Sequence, residues 1–151
     1  MNNAITSQAN NQIITTIVNK RSKKRLLIID DEPDITLTFK ISLESTGLFE
    51  VYTFDEPLKA LANFKAHFYD LVLTDIKMPK MTGYEFSQKI RETDNDAKVC
   101  FLTATEDYHC DNGNWEQKEA ECFIKKPVGI GELVKQINSI LEWPPTREEQ
   151  M

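Results

Sequence analysis

Histidine and cysteine, the residues that serve most metal and redox sites, are scarce in this chain of 151 residues. The only two histidines, His67 and His109, exclude a multi-histidine metal centre. The three cysteines, Cys100, Cys110 and Cys122, are odd in number and have no CxxC spacing. Neither a disulfide framework nor a zinc site is expected from them, and a reducing, cytoplasmic setting is. Cys100 reads as a small buried hydrophobe, and no base or helix start marks Cys110 or Cys122 as reactive. No apolar run approaches the roughly 18 residues of a membrane span. No apolar block follows a basic flank at the start, so no secretory signal is expected. The absence of a GxxxxGKS/T stretch excludes a P-loop enzyme.

Charge is unevenly spread. The net charge is −6, yet residues 1–25 hold five bases (Lys20, Arg21, Lys23, Lys24, Arg25) and no acid, which leaves 13 bases against 24 acids in the remainder. An acidic body of this kind does not bind nucleic acid through its general surface. With 40% hydrophobic and 28% charged residues, the composition is that of a soluble globular domain. Residues 1–24, rich in Asn, Gln, Thr and Ser, read as a mobile N-terminal extension, 25–142 as the folded domain and 143–151 as a short tail. The extension has one apolar stretch, Ile13 to Val18, which could dock on a partner.

From residue 26 onward short continuous apolar runs recur: Leu26–Ile29, Phe49–Phe54, Leu71–Leu73, Val99–Leu102 and Cys122–Ile124. Such runs suit strands buried on both faces of a parallel sheet. Their ends, near residues 30, 54, 75, 103 and 124, leave room for one crossover helix each. The spacing predicts a helix over 130–141, stopped by Pro144-Pro145. It predicts a second from Asp55 and Pro57 with Leu58, Leu61, Phe64 and Phe68 along one side, and a third opened by Thr82-Gly83. Residues 35–43 alternate strictly (Ile35, Leu37, Phe39, Ile41, Leu43), which is a strand pattern. A helix is expected there nonetheless, because parallel strands need a long crossover and Pro33 suits a first helical turn. Residues 105–119 should supply the helix before the last strand, but Asp111-Asn112-Gly113-Asn114 is turn chemistry.

In a parallel α/β sheet, ligands bind beyond the carboxyl ends of the strands. Those ends carry Asp30-Asp31-Glu32, Asp75, Thr103-Ala104-Thr105 and Lys125-Lys126-Pro127. Seen alone, an acidic pair at a strand end is ordinarily a helix cap or a solvated turn. Three carboxylates gathered on one rim are another matter. Two of them about 4 Å apart repel by about 4 kcal/mol at an effective dielectric near 20. Ionised together they call for a cation, and oxygen-only ligands favour a hard ion such as Mg²⁺. A carboxylate beside such an ion can attack phosphorus, with Lys126 balancing phosphoryl charge and Thr103 donating to a phosphoryl oxygen.

Asp30-Asp31 after an apolar strand, the stretch Leu73-Thr74-Asp75-Ile76-Lys77-Met78-Pro79-Lys80-Met81-Thr82-Gly83, then Thr103-Ala104 and Lys126-Pro127, together resemble a two-component response-regulator receiver domain. The resemblance covers roughly residues 25–142 and implies a flavodoxin-like, doubly wound (βα)5 fold with sheet order 2-1-3-4-5. It implies Asp75 as phosphoacceptor, and Asp31, Asp75 and the backbone carbonyl of Lys77 as Mg²⁺ ligands, with Asp30 acting through a water. It implies Lys126 as the active-site lysine followed by a cis proline bond, Thr103 as the switch hydroxyl and Phe123 as the switch aromatic. Lys118-Glu119-Ala120-Glu121 departs from the Gly-Ala usual before the fifth strand.

The expected function is a regulatory phosphoacceptor rather than an enzyme. It would take a phosphoryl group from a histidine kinase or a histidine phosphotransfer protein and switch the binding of a downstream protein. Residues after 142 are too few for an effector domain, a membrane partner is not expected, and a homodimer is left open. Two other readings compete. An aspartate-nucleophile Mg²⁺-dependent phosphohydrolase would want a second acid two residues after the nucleophile, where Lys77 stands. A nucleic-acid-binding regulator acting through residues 20–25 would have too few positions to carry specificity.

Overall fold

A computed structural model describes residues 23–104 and 122–141. Its elements run β1 (Lys24–Ile29), α1 (Pro33–Glu44), β2 (Phe49–Phe54), α2 (Pro57–Ala62), β3 (Leu71–Asp75), α3 (Gly83–Arg91), β4 (Val99–Thr103), β5 (Phe123–Lys125) and α4 (Ile130–Leu141). All strand pairings are parallel, in the order β2-β1-β3-β4-β5. This is the expected doubly wound sheet. The helix expected over 105–119, residues 1–22 of the expected extension and the expected tail 143–151 lie outside the described residues.

The pleat divides each strand between two layers. Leu26, Ile28, Leu71, Leu73, Cys100, Leu102 and Ile124 face Leu43 of α1 and Leu133 and Ile137 of α4. Leu27, Ile29, Val72 and Phe101 face Ala60 of α2 and Phe86 and Ile90 of α3. Strands β1 (from Leu26), β3 and β4 are therefore buried on both faces, which is why they read as continuous apolar runs.

The alternating segment is helical, as the crossover requirement demanded. A period of two cannot match a helix, so its apolar residues spread around the axis. Leu43 is buried and Phe39 packs against the core, whereas Leu37 and Ile41 are 55% and 61% exposed. Helix α3 is capped by its sequence: Thr82 accepts from the backbone of Glu85 at 3.2 Å, with Glu at the third helical position as in a capping box.

Three expectations need correction. Helix α2 ends at Ala62, so Phe64 and Phe68 do not continue its stripe. Asn63 stops it by turning its side-chain amide back onto the Lys59 carbonyl at 2.8 Å. Phe68 instead joins an aromatic group with Tyr52 and Tyr69, with ring centroids 5.4 and 5.0 Å away. Strand β1 begins at Lys24, inside the supposed extension, and Arg25 is not a free arm charge. Its guanidinium lies 4.2 Å from the Phe68 ring centroid, with Nε 3.4 Å from Glu50.

The third correction concerns the cysteines. Cys100 and Cys122 are joined by a disulfide, with their Cα atoms 4.6 Å apart. The register makes them neighbours: Phe101 pairs with Phe123, and the Phe101 N–H donates to the Cys122 carbonyl at 3.0 Å. Adjacent positions on parallel strands point the same way, so both sulfurs enter the layer beneath α4. Cys122 is half-buried there.

Candidate phosphoryl-acceptor site

The carboxyl ends of β1, β3 and β5 bring Asp30, Asp31, Asp75 and Lys126 together. One carboxylate oxygen from each aspartate lies within 4.8 Å of the others. Asp30 is fully buried, Asp75 half-buried and Asp31 exposed, so the cluster opens to solvent through Asp31. Lys126 Nζ sits 2.6 Å from Asp30 Oδ2 and 3.3 Å from Asp75 Oδ2. The backbone N–H of Glu32 donates to Asp30 Oδ1 at 3.0 Å, and that of Ile76 to Asp75 Oδ1 at 2.9 Å. Each inner carboxylate is thus held by one backbone donor and by one shared ammonium.

Burial pushes the Asp75 carboxyl above its usual range; Lys126 opposes this and the charge of Asp30 reinforces it. For Lys126, burial works toward a lower value, but the hydrogen bond to Asp30 and the charges of Asp30 and Asp75 outweigh it. Its ammonium is held above the usual lysine range. The site strains against its own negative charge and is only partly neutralised by Lys126. An all-oxygen acidic set with one exposed member fits a hard divalent cation such as Mg²⁺.

Thr103 ends β4, buried, with its hydroxyl donating to the Ala104 carbonyl at 2.9 Å. Its own carbonyl accepts the N–H of Lys126 at 2.8 Å, which ties β4 to the lysine. The Lys126–Pro127 bond is cis, as the resemblance implied. Phe123 lies apart from the carboxylates: it packs on the α2–α3 layer against Phe101, with ring centroids 5.6 Å apart. Lys77 follows β3 with an exposed side chain. An apolar groove of about 530 Å³ opens beside Lys126, lined by Ile35, Phe39, Ala104, Pro127 and Val128.

One contributor was not singled out from the sequence. Gly83 lies against the backbone of Asp75, with its N–H donating to the Ile76 carbonyl at 2.8 Å. A Cβ there would stand 2.2 Å from the Asp75 carbonyl oxygen. Its presence at the end of the Asp75–Gly83 motif was the available signal.

In a doubly wound parallel sheet the carboxyl ends of the strands are where ligands bind, and the three aspartates and Lys126 lie there. Residues 26–138 match the response regulator receiver domain family, and the chain belongs to that family. A probable transcriptional regulator ycf27 from Cyanidium caldarium is 35% identical over 137 residues, covering 89% of this chain and 54% of that protein. Response regulator Rre1 from Synechocystis is 34% identical over 121 residues, covering 77% and 51%. The chain therefore spans about half the length of the curated relatives it matches. Among solved structures, response regulator TrrA from Thermotoga maritima, in complex with Mg²⁺-BeF, is 35% identical with a TM-score of 0.65, covering 78% of this chain and 98% of that one. A receiver domain from Clostridium thermocellum is 30% identical with a TM-score of 0.69, covering 85% and 99%. The chain is a two-component receiver. No helix among the described residues is long and apolar enough to cross a membrane.

Proposed function

We propose that the chain accepts a phosphoryl group on Asp75 from a histidine kinase or a histidine phosphotransfer protein, and that the modified site switches the binding of a downstream protein. The observation that carries this reading is the three-aspartate cluster with Lys126 Nζ 2.6 and 3.3 Å from two of its members. An Asp75 carboxylate oxygen attacks the phosphorus; the new O–P bond forms as the N–P bond to the donor imidazole breaks, and the imidazole leaves with a proton from solvent. Lys126, already shared between Asp30 and Asp75, is within reach of a phosphoryl oxygen carried by Asp75. Asp30, Asp31, Asp75 and the Lys77 carbonyl would hold Mg²⁺, with Asp30 reaching it through a water. When bound, the ion supplies charge balance and a template for the phosphoryl oxygens. The Thr103 hydroxyl exchanges the Ala104 carbonyl for a phosphoryl oxygen, and Phe123 takes up the space this leaves. The groove beside Lys126 offers the donor protein an apolar surface next to the chemistry. Fluorine NMR with beryllofluoride and Mg²⁺ tests the reading. A bound resonance that needs Mg²⁺ and vanishes in Asp75→Asn supports it; a resonance that survives the substitution refutes it.

A further inference from the structure

We infer that Cys100 and Cys122 form a reversible dithiol–disulfide pair that regulates the phosphoacceptor site by tying β5 to β4; the regulatory half rests on the reading of Asp75 as phosphoacceptor.

Three observations meet at this pair. The register and the Phe101–Cys122 backbone hydrogen bond set the two Cα atoms 4.6 Å apart, within the span a disulfide needs. Strand β5 is only three residues long, and among the described residues it pairs with β4 alone. Finally, the pair sits beside the working residues. Cys100 is three positions before Thr103, and Cys122 directly precedes Phe123 and stands four positions before Lys126. A covalent tie here holds a short edge strand in the register that aims Lys126 at Asp30 and Asp75. Without it, β5 depends on its backbone bonds, on Ile124 in the core and on Phe123 packed against Phe101. The tied state is the better organised for phosphoryl oxygens, because less freedom is lost when they bind.

The chemistry is thiol–disulfide exchange with a small-molecule disulfide. Cys100 is fully buried and Cys122 half-buried, so Cys122 is the entry point. Its thiolate attacks the small disulfide, forming a mixed disulfide and releasing one thiol. The Cys100 thiolate then attacks the Cys122 sulfur, closing the internal bond and releasing the second thiol. Two protein thiols are oxidised, one small disulfide is reduced to two thiols, and the two protons end on the released thiols.

The test uses the full chain and its Cys110→Ser variant, equilibrated in reduced and oxidised glutathione. Alkylation and peptide mapping read the bond, and beryllofluoride titration with Mg²⁺ reads the site. In Cys110→Ser, tryptic peptides 99–118 and 119–125 should be linked after oxidation and separate after reduction. The oxidised form should bind beryllofluoride roughly threefold more tightly, and Cys122→Ser should match the reduced form in both buffers. If Cys122→Ser does not fold, the two redox states of Cys110→Ser supply the same comparison. Pairing through Cys110 in the full chain, equal labelling of all thiols after oxidation, or a bond that leaves affinity unchanged would each overturn the inference. Loss of beryllofluoride binding in both redox states would instead condemn the Asp75 reading, while peptide mapping still reports the bond.

Discussion

A Cβ on Gly83 would stand 2.2 Å from the carbonyl oxygen of Asp75, with the Ile76 Cα only 3.2 Å away. Both neighbours are backbone, so neither can swing aside. Gly83→Ala must push β3's end or the start of α3 outward. Overpacking of this sort costs about 1–3 kcal/mol, to be read from urea melts. Because the displaced atoms belong to Asp75 and Ile76, beryllofluoride binding should weaken as well. A variant with unchanged stability and affinity would mean that the contact relaxes freely.

Lys126 is the partner of a fully buried aspartate. Lys126→Met leaves the Asp30 charge with only its backbone donor, and an uncompensated buried charge costs about 3 kcal/mol. Added Mg²⁺ should restore part of that loss, which a differential scanning experiment with and without the ion will show. The pH dependence follows from direction. The folded value of Lys126 lies above the unfolded one, so its contribution is complete below the ordinary lysine range and is lost as pH rises through the raised value. Wild-type stability should fall in strong alkali, and the variant should lack that component.

Asp75 behaves oppositely at neutral pH. Burial first, with Asp30 adding to it, holds its folded value above the unfolded one against the pull of Lys126. Stability from such a group is present below the ordinary carboxylate range and is lost as pH rises through the raised value. At neutral pH the ionised Asp75 therefore counts against folding. Asp75→Asn should melt at a higher temperature than the wild type in metal-free buffer, and the gap should narrow when Mg²⁺ is added. A lower melting temperature would show that Lys126 over-compensates the site.

The sheet was readable because its inner strands β1, β3 and β4 are buried on both faces, and the rim because each motif falls at a strand end. What failed had particular causes. Phe64 and Phe68 keep helical spacing, but Asn63 caps the helix before them. The Cys100–Cys122 link crosses a separation of 22 residues, invisible to local pattern. It could have been found by alignment: each cysteine stands three residues before the position paired at Thr103 and Lys125. Arg25 was counted with a basic run because its partner Glu50 comes from the next strand. Asp30, Asp31, Asp75 and Lys126 were brought together as expected, whereas the roles proposed for Thr103, Phe123 and Lys77 come from the family resemblance.

On the proposed reading, Thr103 separates acceptance from readout. Thr103→Ala removes a buried hydroxyl bonded to the Ala104 carbonyl, costing about 1 kcal/mol, and leaves Asp75 and Lys126 in place. It should still be phosphorylated. It should lose most of the change in hydrogen exchange that a beryllofluoride-activated wild type displays in β4 and β5. An activated variant with the full wild-type exchange pattern would remove Thr103 from the signalling route.

Asp75 is the residue proposed to take the phosphoryl group, and mass spectrometry tests it most directly. Incubation with a small phosphodonor and Mg²⁺, followed by intact mass and fragmentation of tryptic peptide 66–77, distinguishes Asp75 from Asp70 in the same peptide. One added phosphoryl mass on Asp75, dependent on Mg²⁺ and absent from Asp75→Asn, is the predicted result. Equal labelling of Asp75→Asn, or label on any other residue of the wild type, would contradict it.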